Sequence, residues 1–118
     1  PIGTAGHSPE AHLWAYEHDF GLDFHVVCFY NCGSLHDGKG EKFQESDVPR
    51  AIEVIQQIEK PCIGYKIMAA GRVEPREAFE RAFEGIKPND VVNVGIYRGD
   101  NDEMVEENAR MVGEILGG

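Results

Sequence analysis

The chain has 118 residues, 42% of them hydrophobic and 27% charged, with a formal net charge of −10. Such a balance is that of a globular domain rather than a disordered segment, and 118 residues suffice to bury roughly two thirds of the unfolded surface. The negative charge argues against a nucleic-acid backbone or an anionic membrane as partner. No apolar run approaches the roughly 20 residues of a membrane helix. The amino terminus offers no basic-then-apolar signal, so the expected compartment is the cytoplasm. Three cysteines, Cys28, Cys32 and Cys62, form no metal-type pair. They read as reduced, mostly buried thiols, with a Cys28–Cys32 redox pair as the weaker alternative.

Pro1 to Gly6 reads as a short strand running into a turn. Ser8 then offers an N-cap, Pro9 a first helical residue and Glu10 a carboxylate near the positive end of the helix dipole. Ala11, Leu13, Trp14, Ala15 and Tyr16 supply a short apolar helix that Gly21 ends. The near-continuous run Asp23 to Tyr30 suits a strand buried on both faces. Asn31 to Glu45 is a polar, glycine-rich loop, longer than a plain connection needs. Ser46 or Asp47 caps a helix carrying Val48, Ile52, Ile55 and Ile58, which Lys60-Pro61 stops.

Next comes Cys62 to Arg72, the stretch around which the remainder is organised. Ile63, Tyr65 and Ile67 alternate against Gly64, Lys66 and Met68, and a lysine within an apolar strand must reach water, a carboxylate or an anion. Strand parity predicts that Gly64 and Lys66 share the inward face. Glu74-Pro75 opens a helix with Ala78, Phe79, Ala82 and Phe83 on one side. Val91 to Tyr97 is a fourth strand, with Val92, Val94 and Ile96 towards a helix layer and Asn93, Gly95 and Tyr97 inward. Asp100 to Glu103 starts a last helix with Met104, Val105, Ala109, Val112, Ile115 and Leu116 as its stripe.

The order β-α-β-α-β-α-β-α implies an α/β fold with a parallel sheet and right-handed crossovers. Four βα units are half of a (β/α)8 TIM barrel, whose ligands bind at the carboxyl ends of the strands. Residues 1–118 thus read as a single partial TIM-barrel domain, a fragment of a longer barrel. A half-barrel has two unpaired edges, so an N-terminal half-barrel or a homo-oligomer is expected to cover them.

Four stretches, in order, resemble the carboxyl-terminal half (strands five to eight) of the aldo/keto reductase barrel. Gly3 to Glu10 resembles the family's G-V-S-G-H-S-P-E after the fifth strand, and Phe29-Tyr-Asn31 its P-Y-N after the sixth. Lys66 to Arg72 resembles part of M-K-P-L-A-G-G-R at the seventh. Val94-Gly-Ile96 with Val105-Glu-Glu-Asn108 resembles P-G-M and V-E-E-N at the eighth strand and last helix. The resemblance implies an NADP-linked oxidoreductase barrel of which this chain supplies the cofactor half. Lys66, Met68 and Ala70 match the loop around the pyrophosphate, Arg98 the loop at the 2′-phosphate, and Glu107 with Asn108 the adenine contacts. Tyr65 matches an aromatic beside the nicotinamide, although its parity points it away from Lys66.

Three departures stand beside these matches. The serine-asparagine pair that holds the carboxamide is Ala5-Gly6 here, and the glutamine of the sixth strand is Val27. Asp100, Asp102 and Glu103 place carboxylates beside Arg98. The family's catalytic residues belong to its other half, so catalytic residues are unknown for this chain. Strand parity gathers His7, His25, Asn31, Asn93 and Tyr97 as a small-molecule pocket at the mouth, with Lys66 and Arg98. Rival readings are a phosphate-binding aldolase or isomerase barrel using Lys66, and a non-catalytic half-barrel scaffold. A metal site of His7, His25 and Asp23 has no supporting spacing signature.

Overall fold

A computed structural model describes residues 1–31 and 44–117. Cys32 and most of the Asn31–Glu45 loop, with the suggested Cys28–Cys32 pair, lie outside the described residues. Four strands and four helices alternate: β1 (Gly3–Gly6), α1 (Pro9–Glu17), β2 (Phe24–Cys28), α2 (Asp47–Gln57), β3 (Cys62–Tyr65), α3 (Pro75–Gly85), β4 (Val91–Asn93) and α4 (Met104–Gly117). The strands form one parallel sheet in the order β1-β2-β3-β4. Sequential parallel order with crossovers of one hand puts every helix on the same face, as in a barrel; a doubly wound sheet reverses its order midway. The expected α/β fold of four βα units is the fold observed. Among the described residues, no helix is long and apolar enough to cross a membrane.

The core lies between sheet and helices. Val27 and Cys62 on the sheet meet Val48, Ala51, Val54 and Ile55 of α2 and Ala78, Phe79 and Ala82 of α3, all buried. Cross-strand register aligns Thr4 with His25 and His25 with Cys62, and Gly6, Val27, Gly64 and Val92 in the neighbouring row, on this helix-covered face. Gly64 lies beneath the buried Phe29 ring, and a Cβ there would stand 2.7 Å from Phe29 Cε1. The opposite face carries Phe24 and Val26 of β2, Ile63 and Tyr65 of β3, and Val91 and Asn93 of β4, none of them in the core.

This register corrects two expectations from parity. Gly64 packs against the helix layer rather than inward. β3 ends at Tyr65, and Lys66 turns into the left-handed region at φ 55°, so strand alternation no longer sets its direction. β4 likewise stops at Asn93, leaving Tyr97 and Arg98 in the loop beyond.

At the amino end of the strands the fold is pinned by an ion pair between a partly buried lysine and a buried aspartate. Lys87 Nζ lies 2.8 Å from Asp90 Oδ2 and donates to the Ile55 carbonyl at 2.9 Å. The second Asp90 oxygen accepts from the Cys62 backbone N–H at 2.9 Å, so one carboxylate fixes both the turn before β4 and the start of β3. Burial pushes the Cys62 thiol up, against the pull of Lys87.

Candidate functional site at the carboxyl ends of the strands

Three of the expected mouth residues come together. His7, directly after β1, and Asn31, just beyond β2, line one cleft of about 190 Å³, together with Ser8, Glu10, Cys28, Asp47 and Arg50. Lys66, directly after β3, brings its Nζ within 3.3 Å of His7 Nε2. With the ammonium as donor, His7 must present the Nε2 lone pair. The His7 and Tyr65 rings lie 6.3 Å apart, so β1 and β3 converge here across β2.

The turn after β3 holds three of the four non-glycine residues with positive φ among the described residues. Lys66, Ala69 and Ala70 hold φ of 55°, 50° and 56°, and Gly71 follows at 86°. Left-handed backbone in residues with a Cβ costs about 1–3 kcal/mol each and persists where the surroundings over-determine it. Here Ala69 N–H donates to Lys66 O at 3.3 Å, Gly71 N–H to Met68 O at 3.0 Å and Val73 N–H to Met68 O at 3.1 Å. Buried Ile67 and Ala69 anchor the turn in the core, and half-buried Met68 packs against it. Lys66 and Ala70 remain exposed. Burial pushes the Tyr65 hydroxyl up to about 12, assisted by Cys28, so it stays protonated through the neutral range.

The other expected residues are placed apart. His25 is corrected outright: it faces the helix layer, 1% exposed, with its Nδ1 3.1 Å from His12 Nδ1. Asn93 keeps the inward parity expected of it, in register with Tyr65, but it is exposed, since no described element covers that face. Tyr97 and Arg98 are exposed, and Arg98 Nε lies 3.5 Å from Asp102 Oδ1. Glu107 Oε2 accepts from Asn101 Nδ2 at 2.9 Å. Asn108 lines a second, apolar groove of about 520 Å³ between α3, β4 and α4, with Phe79, Phe83 and Val112. Asp23 accepts from the Ile2 backbone N–H at the far end of the strands, which separates it from His7.

Several polar residues of the site carry no motif. Arg50 ties Glu10 of α1 to Glu53 of its own helix, at 2.6 and 3.1 Å, and holds the Glu10 carboxyl below its usual range. Asp47 accepts from the Asn31 backbone N–H at 3.1 Å. Arg81 donates to Tyr30 Oη at 2.7 Å and to Glu45 at 3.0 Å. Glu10 and Asp47 sit in the first turns of their helices, an ordinary place for an acid, and the others carry no sequence signal.

Comparisons of the chain with protein-family models, curated proteins and solved structures give no significant match.

Proposed function

We propose that the chain is the cofactor half of an aldo/keto reductase-like, NADP-linked oxidoreductase barrel, with further βα units completing the ring. The observation that carries this reading is the strained turn from Lys66 to Gly71 at the carboxyl end of β3. It coincides with the one stretch whose resemblance implies a pyrophosphate loop, and strain of this kind collects at ligand clamps. The exposed Lys66 ammonium supplies charge to a diphosphate there, and Met68 and Ala70 shape the turn. Among the described residues Arg98 is paired with Asp102 alone, and both are largely exposed. Such a surface pair contributes little and yields readily to a 2′-phosphate. Glu107 and Asn108 offer amide and carboxylate edges to an adenine.

The residues fit the phosphate-bearing part of NADP better than its nicotinamide. Ala5 has no polar side chain, and the Gly6 carbonyl is taken by His12 Nε2 at 3.3 Å. Among the described residues, these two positions supply no side-chain contact to a carboxamide. When bound, the cofactor supplies a transferable hydride; the residues here bind and orient its phosphates. Among the described residues one sheet face is open and the outer edges of β1 and β4 are unpaired, which favours a partner made of further parallel βα units, whether an N-terminal half-barrel or a second copy.

A second reading rests on the Lys66–His7 contact. In a phosphate-binding aldolase or isomerase, Lys66 would be an imine-forming amine and the adjacent imidazole its proton acceptor. Against it, Lys66 is exposed, whereas such amines are activated by desolvation or by a cationic neighbour.

The test is a fluorescence titration with NADPH of the wild type, Lys66→Ala and Asn108→Ala. Saturable binding weakened several-fold by both substitutions is expected. Absence of binding at millimolar cofactor, in a chain whose circular dichroism is folded, overturns the reading. Borohydride trapping of a carbonyl substrate on Lys66 would turn it towards the aldolase.

A further inference from the structure

α1 has one buried residue, and it is a histidine. His12 is 2% exposed and His25, across on β2, 1% exposed, with their Nδ1 atoms 3.1 Å apart and their rings edge to face. The other nitrogen of His12, Nε2, lies 3.3 Å from the carbonyl oxygen of Gly6, the peptide that leads into His7. Buried polar groups require partners, and these distances settle how the pair meets the requirement when neutral. His12 Nε2–H donates to Gly6, which leaves a lone pair on His12 Nδ1, and His25 Nδ1–H donates to that lone pair.

We propose that His12 and His25 form a pH-sensitive latch that pins α1 and the Gly6–His7 peptide to the sheet when neutral and lets go in mild acid. A single added proton can still be shared across the pair, at the cost of a buried charge. A second proton puts two N–H groups face to face with no lone pair between them. The latch acts on the mouth without touching a ligand, because the Gly6 carbonyl it holds belongs to the residue before His7, which contacts Lys66. His12 and His25 are thus positioning residues for that contact.

The charges around the pair push the same way. Burial lowers the affinity of both imidazoles for a proton, and at His25 the charges of His12 and Lys87 lower it further. The Gly6 and Val26 backbones favour the proton at His12 but do not reverse the effect of burial. On the elements packed nearby, β3 brings Cys62, the turn before β4 brings Lys87 with its partner Asp90, and α2 brings Arg50 and Glu53. Arg50 and Glu53 are engaged at the surface, Arg50 also with Glu10 of α1. Half-buried Tyr16 and exposed Glu17 stand at the end of α1, followed by exposed His18 and Asp19. With folded-state affinities depressed, the unfolded segment binds more protons, so stability is present above the ordinary histidine range and is lost as pH falls through it.

The experiment is hydrogen exchange by NMR on the whole chain, read as protection factors so that intrinsic exchange rates cancel. Between about pH 7.5 and about pH 5, protection of the Leu13–Glu17 amides is expected to fall about tenfold or more, with α2 and α3 unchanged. In His12→Gln, which keeps an N–H and an acceptor without a titrating ring, the pH dependence is expected to flatten. In the wild type alone, the two imidazoles should titrate below free histidine, in step with the loss of protection. Unchanged α1 protection, a fall shared equally by α2 and α3, or full pH dependence in His12→Gln overturns the latch.

Discussion

The middle of the sheet and its two flanks are built by different rules. From β2 to α3 the described chain closes on itself: α2 buries Val48, Ala51, Val54 and Ile55, and α3 buries Ala78, Phe79 and Ala82. On the flanks, α1 buries His12 alone and α4 buries nothing fully. Among the described residues, every large apolar side chain that is exposed lies outside that middle. Ile2, Trp14 and Phe20 stand at the β1 end, and Val91, Ile96, Tyr97, Val105 and Leu116 at the β4 end. A helix over a parallel sheet needs neighbours on both sides to bury its apolar stripe, and α1 and α4 have one each. The difference teaches that, among the described residues, the four units are packed in the middle and laterally open at the flanks.

The largest expected effect tests that contrast directly. Phe79, 1% exposed, is the largest side chain buried by α3. Truncation to alanine should cost about 3–5 kcal/mol in urea unfolding. Leu116, 61% exposed on α4, should cost less than about 0.5 kcal/mol when truncated alike. Equal costs would mean that α4 is covered in solution, and the contrast between middle and flank would break.

Asp90 comes next. Its carboxylate holds Lys87 Nζ, the Lys87 N–H and the Cys62 N–H at 2.8–2.9 Å. Asp90→Ala leaves a partly buried ammonium and a buried backbone donor without it, at an expected cost of about 3 kcal/mol. The Ile55 carbonyl still accepts from Lys87, which keeps the figure at the low end for a broken buried pair. If urea unfolding shows a change below about 1 kcal/mol, the amino end of β3 is held by its ladder alone and Asp90 is dispensable to the middle.

How much of this was legible in the sequence follows from the same division. The element order could be read because the apolar stripes of α2 and α3 recur at helical spacing and Lys60-Pro61 and Glu74-Pro75 punctuate them. The parity of β2 could not. Its run of Phe24, His25, Val26, Val27 and Cys28 is apolar on both faces apart from one histidine, and a polar residue in such a run suggests a site when its partner is unseen. That partner, His12, shares a helical stripe with Leu13 and Tyr16, which spacing alone could have aimed at the sheet. The end of β3 was hidden for another reason: Ile67 and Met68 continue the alternation, and nothing in a lysine announces a left-handed backbone. Element order alone places His7, Asn31 and Lys66 at the carboxyl ends of the strands, where the structure brings them near one another, even where parity fails.

The smallest effect bears on why that lysine is there. Lys66 holds φ 55° with an exposed side chain whose recorded contact is His7 Nε2. Glycine adopts this backbone without the Cβ clash, though it gives up more entropy on folding, so Lys66→Gly should stabilise the chain by up to about 1 kcal/mol. Thermal unfolding reads the gain, and the same variant should lose cofactor affinity. A more stable chain that binds worse would show the turn carrying strain for a ligand's sake, on the border between closed middle and open mouth. Loss of stability would place the lysine's value in its contact with His7, and the strain would then be the cost of joining β1 to β3.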